Sequence, residues 1–179
     1  MAESFSNSIT KTVGVVTSYS SSTIGAGATS ITVSANTGIG VSDLVVNPHF
    51  VGGTKVTQIV GTTIYTDIAS TNQSSSSTQT VKFLGVTTCY TSAAATKSIL
   101  IGGTLTNNEG GAVKVFIETR DASAGVDANL VYNAPIPEGS SMIISDAGKT
   151  VLEATDELRV YCDTKNGVDV NFSILSGVS

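Results

Sequence analysis

Apolar residues recur at every second position through much of this chain, and that period commits it to β-structure. In "ITVSA", Ile31, Val33 and Ala35 point one way while Thr32 and Ser34 point the other. Val113, Val115 and Ile117 alternate with Lys114, Phe116 and Glu118, and Val168, Val170, Phe172 and Ile174 alternate with Asp169, Asn171 and Ser173. A strand sends successive side chains to opposite faces, whereas a helix needs a period near 3.6. Val, Ile and Thr dominate these runs, as suits a pleated surface. Gly, Asn, Asp and Ser interrupt them every eight to twelve residues, a spacing that predicts many short antiparallel strands in a sandwich or barrel.

The expected strands span 7–16, 28–35, 43–47, 54–60, 62–68, 78–84, 86–91, 97–106, 112–119, 128–134, 140–145, 150–153, 157–163 and 168–175. "VGTT" at 60–63 predicts a tight hairpin, and "NTGIG", "NNEGG", "DAG" and "KNG" supply other turns. Two polar tracts stand apart. "SYSSST" (18–23) reads as a strand connection and "STNQSSSSTQT" (70–80) as a flexible loop or exposed tip. They frame an inserted small β-domain at 18–83, leaving 1–17 plus 84–179 as one β-sandwich, jelly-roll or immunoglobulin-like. Insertion at a loop tip is physically inexpensive.

Charge excludes several functions. Only 13% of the 179 residues are charged, about half the usual share, so Ser, Thr, Asn and Gly must cover the surface. The net charge is −5, and all of it falls within 86–179, since three lysines balance three carboxylates in 1–85. Nine scattered Lys and Arg residues do not form the basic patch that nucleic-acid phosphates require. No apolar run is long enough for a membrane-spanning helix. The opening "MAESFSNSITKTVG" lacks the basic and apolar regions of a secretory signal. Cys89 and Cys162 read as buried free thiols, with a disulfide as the alternative.

Motifs for catalysis are scarce. His49 is the single histidine and sits beside Pro48, a poor start for a hydrolytic triad. Three Cys and His residues in all, dispersed, do not compose a zinc site. No phosphate-binding glycine motif occurs. The carboxylates cluster as Glu118, Asp121 and Asp127, and as Glu153, Asp156 and Glu157, without EF-hand spacing, and read as solvated turn residues. With no Trp and five Tyr, aromatic platforms for sugars are few. The expectation is a non-enzymatic protein with no cofactor and no metal.

Two of the three prolines stand in "APIPEGSS" (134–141). Pro135 and Pro137 lack amide donors, so they end a strand at residue 134 and hold the chain extended into Gly139. A proline-rich ligand for an aromatic groove is the other reading. Pro135, Ile136, Pro137 and Glu138 are the candidate subunit-contact rim, and Tyr19, His49, Phe50 and Tyr65 the candidate exposed contacts of the insert.

Four stretches resemble a known group: "TTCYTSAAATKSILIGGTLTNNEG", "VKVFIET", "LVYNAPIPEGSSMIISDAGKTVLEATDELRV" and "VDVNFSILSG". They are similar to a small β-domain of virion structural proteins of tailed bacteriophages, especially phages of marine cyanobacteria. Cys89, Ala93 and Tyr132 depart from the Leu, Pro and Lys usual there. "GATSITVSANTGIGVSDLVVNPHFVGGTKVTQIVGTTIYTDIAS" resembles a second unit of phage structural and surface proteins, with Ser42 in place of the usual Gly. The resemblance implies a multi-copy virion subunit, such as capsid decoration, collar or neck, or tail component. It implies other virion proteins as partners, a homo-oligomer such as a trimer, and assembly in the host cytoplasm. A receptor- or glycan-binding tip of a tail fibre is the alternative.

Overall fold

The computed structural model describes residues 3–178, those at 145–148 by their backbone alone. Among them there is no helix, and the sheets are antiparallel. Internal contacts divide the chain into two compact units, residues 3–15 with 87–178, and residues 16–86.

The first unit holds eight strands: β1 (Ser4–Val13), β8 (Thr87–Thr91), β9 (Lys97–Asn107), β10 (Val113–Asp121), β11 (Val126–Ile136), β12 (Ser141–Leu152), β13 (Glu157–Cys162) and β14 (Val168–Val178). One sheet runs β1-β14-β9-β12 and the other β11-β10-β13-β8. Only β10 and β11 join as a hairpin within a sheet; every other connection crosses from one sheet to the other. That crossing pattern is a double Greek key, so the sandwich is a jelly roll and not immunoglobulin-like.

The period-two phase explains the core. Val168, Val170, Phe172 and Ile174 face inward from β14, against Val113, Val115 and Ile117 of β10 and Leu158, Val160 and Cys162 of β13. Each apolar side chain taken fully from water contributes roughly 1.5–3 kcal/mol. Gly103 leaves room for Phe172, because a Cβ there would lie 2.6 Å from the phenyl ring. Gly14, at φ 136°, passes so close to Thr164 that a Cβ would meet its carbonyl oxygen. Cys89 and Cys162 are free and buried.

The second unit comprises β2 (Val15–Ser20), β3 (Ser30–Thr32), β4 (Leu44–Val46), β5 (Val56–Val60), β6 (Thr63–Thr66) and β7 (Thr80–Gly85). They form two three-stranded sheets, β2-β7-β4 and β3-β6-β5. Its core gathers Ile24, Ile31, Val33, Val45, Phe50, Val56, Ile64, Val81 and Phe83. The "VGTT" hairpin forms with Val60 opposite Thr63, and Gly61 supplies the positive φ of 57°.

Several expectations are corrected. The "SYSSST" tract is not simply a connection: β2 runs through Ser20, and Ser21 bridges to Val33. Strands expected at 140–145 and 150–153 are one strand, β12, whose register shifts between Ser145 and Thr150 opposite β9. The bulge absorbs the "DAG" turn signal without breaking the strand. The prolines do not end a strand at residue 134 either. Pro135 lies inside β11, opposite Lys114, where an edge strand tolerates a missing donor.

Candidate functional site

The four residues of the expected rim divide by depth. Pro135, Pro137 and Glu138 are exposed, but Ile136 is buried in the jelly-roll core and is no contact residue. The segment is an inter-sheet corner between β11 and β12. Ser140 donates from its amide and hydroxyl to the Pro137 carbonyl. Asn107, at the end of β9, clamps the corner. Its Nδ2 donates to the carbonyls of Gly111, Ile136 and Pro137 at 2.8–3.0 Å, its amide N–H donates to Ser140 O, and its Oδ1 accepts from Glu109 N. An asparagine amide serves both donors and acceptors, which suits a junction where three chain segments expose backbone groups.

The insert residues also divide. Phe50 is buried in the core of its unit, contrary to the expectation that it is an exposed contact. Tyr19 packs against the same core and donates its hydroxyl to Thr37 O at 2.8 Å. His49 Nδ1 lies 3.1 Å from Gln73 O, and Tyr65 stands exposed on β6. The serine-rich tract is not a flexible tip. Ser70 and Ser75 are buried, and their hydroxyls accept from the amides of Ala28 and Ile24 while Ser74 accepts from Ala26. Short hydroxyl side chains stand in here for missing strand partners. Asp43 accepts from Gly40 N at 2.7 Å, yet burial raises its carboxyl above the ordinary range.

The carboxylates serve structure. Asp121 caps the β10–β11 hairpin, accepting from Ala124 N and Ser123 Oγ, and these bonds hold its carboxyl below the usual value. Asp156 is buried and accepts from Ala122 N and Glu153 N. Glu118 is buried too, and accepts a 2.8 Å bond from the Tyr161 hydroxyl. Neither Asp156 nor Glu118 is the solvated turn residue its sequence context suggests. Arg159 Nε bonds Glu157 at 2.6 Å and Arg120 pairs with Asp127 at 3.2 Å, completing an ionic lattice on the outward phase of β10 and β13. Burial first, then the Glu118 carboxylate, drives the Tyr161 hydroxyl upward. Among the described residues, no three His, Cys, Asp or Glu side chains are placed to hold a metal ion.

The face that stands out is the outer side of the β1-β14-β9-β12 sheet. Register sets Ile9, Asn171, Thr104 and Ile143 in one row across its four strands. Phe5, Leu175, Ile99 and Val151 form a second row. The edge members are the bare ones: Phe5 is 76% exposed, Ile143 73%, Ile9 66% and Val151 51%. Between the rows lie small polar residues such as Asn7 and Ser173, which hydrogen-bond at 3.2 Å. A depression of about 300 Å³ opens beside Ile9, Lys11, Thr104 and Asn171. Asn171 Oδ1 is enclosed there and meets no donor among the described residues.

Sequence reasoning passed over this face. The signal was present in strands that are apolar on both phases: Met142, Ile143 and Ile144 are consecutive, and only one side of β12 packs into the core.

Searches among protein families, curated proteins and solved structures found no match. The functional reading therefore rests on the surface and on the sequence resemblance.

Proposed function

We propose that this chain is a non-enzymatic structural protein of a bacteriophage virion. It is a multi-copy accessory subunit, serving as capsid decoration, collar or neck, or tail component, and acts through protein–protein contacts. The observation that carries this reading is the set of exposed apolar side chains on the outer face of a jelly-roll sheet, where the Phe5–Leu175–Ile99–Val151 row is apolar throughout and Ile9 and Ile143 end a second row. Exposed apolar side chains gathered on one face, rimmed by polar residues, mark an interaction site. Jelly rolls serve in capsids but also in lectins and cupins, so the fold alone assigns nothing. The sequence likeness to cyanophage virion subunits supports the capsid side of that range. The low charge density supports it as well, because a neutral Ser/Thr surface tolerates close neighbours.

The test uses particles assembled without this protein and then incubated with the purified chain. Saturable, stoichiometric binding, seen as added density in cryo-electron microscopy, is the expected result. Binding to host cells with none to particles would overturn the proposal in favour of a receptor-binding tip.

A further inference from the structure

We propose that the outer face of the β1-β14-β9-β12 sheet is a twofold interface between two copies of this chain. The inference names an occupant for the same face that supports the virion reading, and its test is made in solution without particles, so the two can fail separately.

Size is the first argument. Four strands at about 4.8 Å spacing, each near ten residues at about 3.3 Å, present roughly 650 Å² of flat face. Side chains add to that projection, which brings it to the level of the ~800 Å² per partner of a standard stable interface.

Self-complementarity is the second. Two identical sheets stacked face to face are related by a twofold axis lying in the interface plane. An axis along the row sets Ile9 over its own copy, and an axis along the strands sets Ile9 over the other copy's Ile143. In both cases apolar edge meets apolar edge, and the polar centre formed by Asn171 and Thr104 meets a polar centre.

Charge is the third. The chain carries −5, and like charge would oppose self-association. At the register-paired outward positions the ionisable groups are Asp169 and Lys97, and Lys97 is paired with Glu153 at 3.1 Å; Lys11, in the register shift of β1, lines the same depression as Asp169. The face is thus balanced and compatible with its own copy, in contrast to the acidic remainder. A partner of strong opposite charge would find nothing there to complement.

Sedimentation equilibrium on the full-length chain tests the proposal. The unaltered protein is expected to be a dimer, and Ile9→Lys and Ile143→Lys to be monomers with unchanged circular dichroism. Val126→Lys, on β11 of the other sheet, is expected to remain a dimer. Asn171→Asp and Asn171→Lys each bring like charges together across the axis and dissociate the pair, whereas mixing the two restores a heterodimer. A monomeric unaltered protein overturns the proposal, as does self-association that survives both isoleucine substitutions. Failure of the mixed Asp and Lys variants to associate also counts against it.

Discussion

Asn107 shows how far one side chain can reach. Two N–H bonds shared among three carbonyls hold the β11–β12 corner to the end of β9. Asn107→Asp keeps the shape but supplies only acceptors, so carbonyls face a carboxylate. The expected loss is about 2–4 kcal/mol of unfolding free energy, read from the urea midpoint at constant slope. A second residue-scale prediction concerns alkali. Burial lifts the Cys89 thiol from 9.0 to about 11, pushes Cys162 upward, and joins with Glu118 to raise Tyr161. Each group gives up its proton more readily unfolded. Their contribution is therefore complete below the ordinary thiol value of 9.0 and declines as pH climbs past it. Urea midpoints should fall steadily above about pH 9, and the fall should be shallower in Cys89→Ala. The alternation showed which side of a strand Ile117 and Phe172 occupy. It did not show what Asn107 grips, because those carbonyls belong to segments far away in sequence. It also did not show that Ile136, between two prolines, turns inward.

At the scale of elements, the serine tract carries the lesson. Composition describes how a segment interacts with water, and a run of serines reads as solvated. Here Ser75 accepts from the amide of Ile24, 51 residues earlier, a pairing that no local pattern records. Ser75→Ala leaves a buried N–H without that acceptor, at a cost of about 1–3 kcal/mol. Amide exchange at Ile24 should quicken by roughly tenfold for each 1.4 kcal/mol lost, with little change at Leu105 in the other unit. Pro135 makes the complementary point. An imino acid inside a predicted strand argues for its end, yet an edge strand has one side on which a donor is not needed. Whether a strand lies at an edge is a property of the sheet and not of its own residues.

For the whole molecule, the sandwich class was legible because every strand advertises two faces. The jelly-roll order was not, since period-two patterning says nothing about which strand lies beside which. The interaction face was hidden for the same reason: the Ile9–Asn171–Thr104–Ile143 row draws one residue from each of four distant strands. The jelly roll has its own core, all of it from residues outside 16–86. Replacing 16–86 with a short Gly/Ser linker should therefore leave a cooperatively folding β-protein, checked by a single thermal transition and a retained β circular dichroism signal. Loss of that transition would show that the smaller unit is required for stability.

The pairing of β1 with β14 has a consequence in time. Ser4 lies opposite Ser176, and β14 sits between β1 and β9 in the middle of its sheet. The first strand made is thus stranded until the fourteenth emerges from the ribosome, while the 16–86 unit, whose contacts close over shorter spans, can fold on the way. Non-local closure of this kind is slow, and during the wait the apolar phase of β1 has no partner. Synthesis of this chain should therefore pass through a stage with one finished unit and one unfinished sheet. Protease pulses during translation should cut β1 until residues 168–178 have been released.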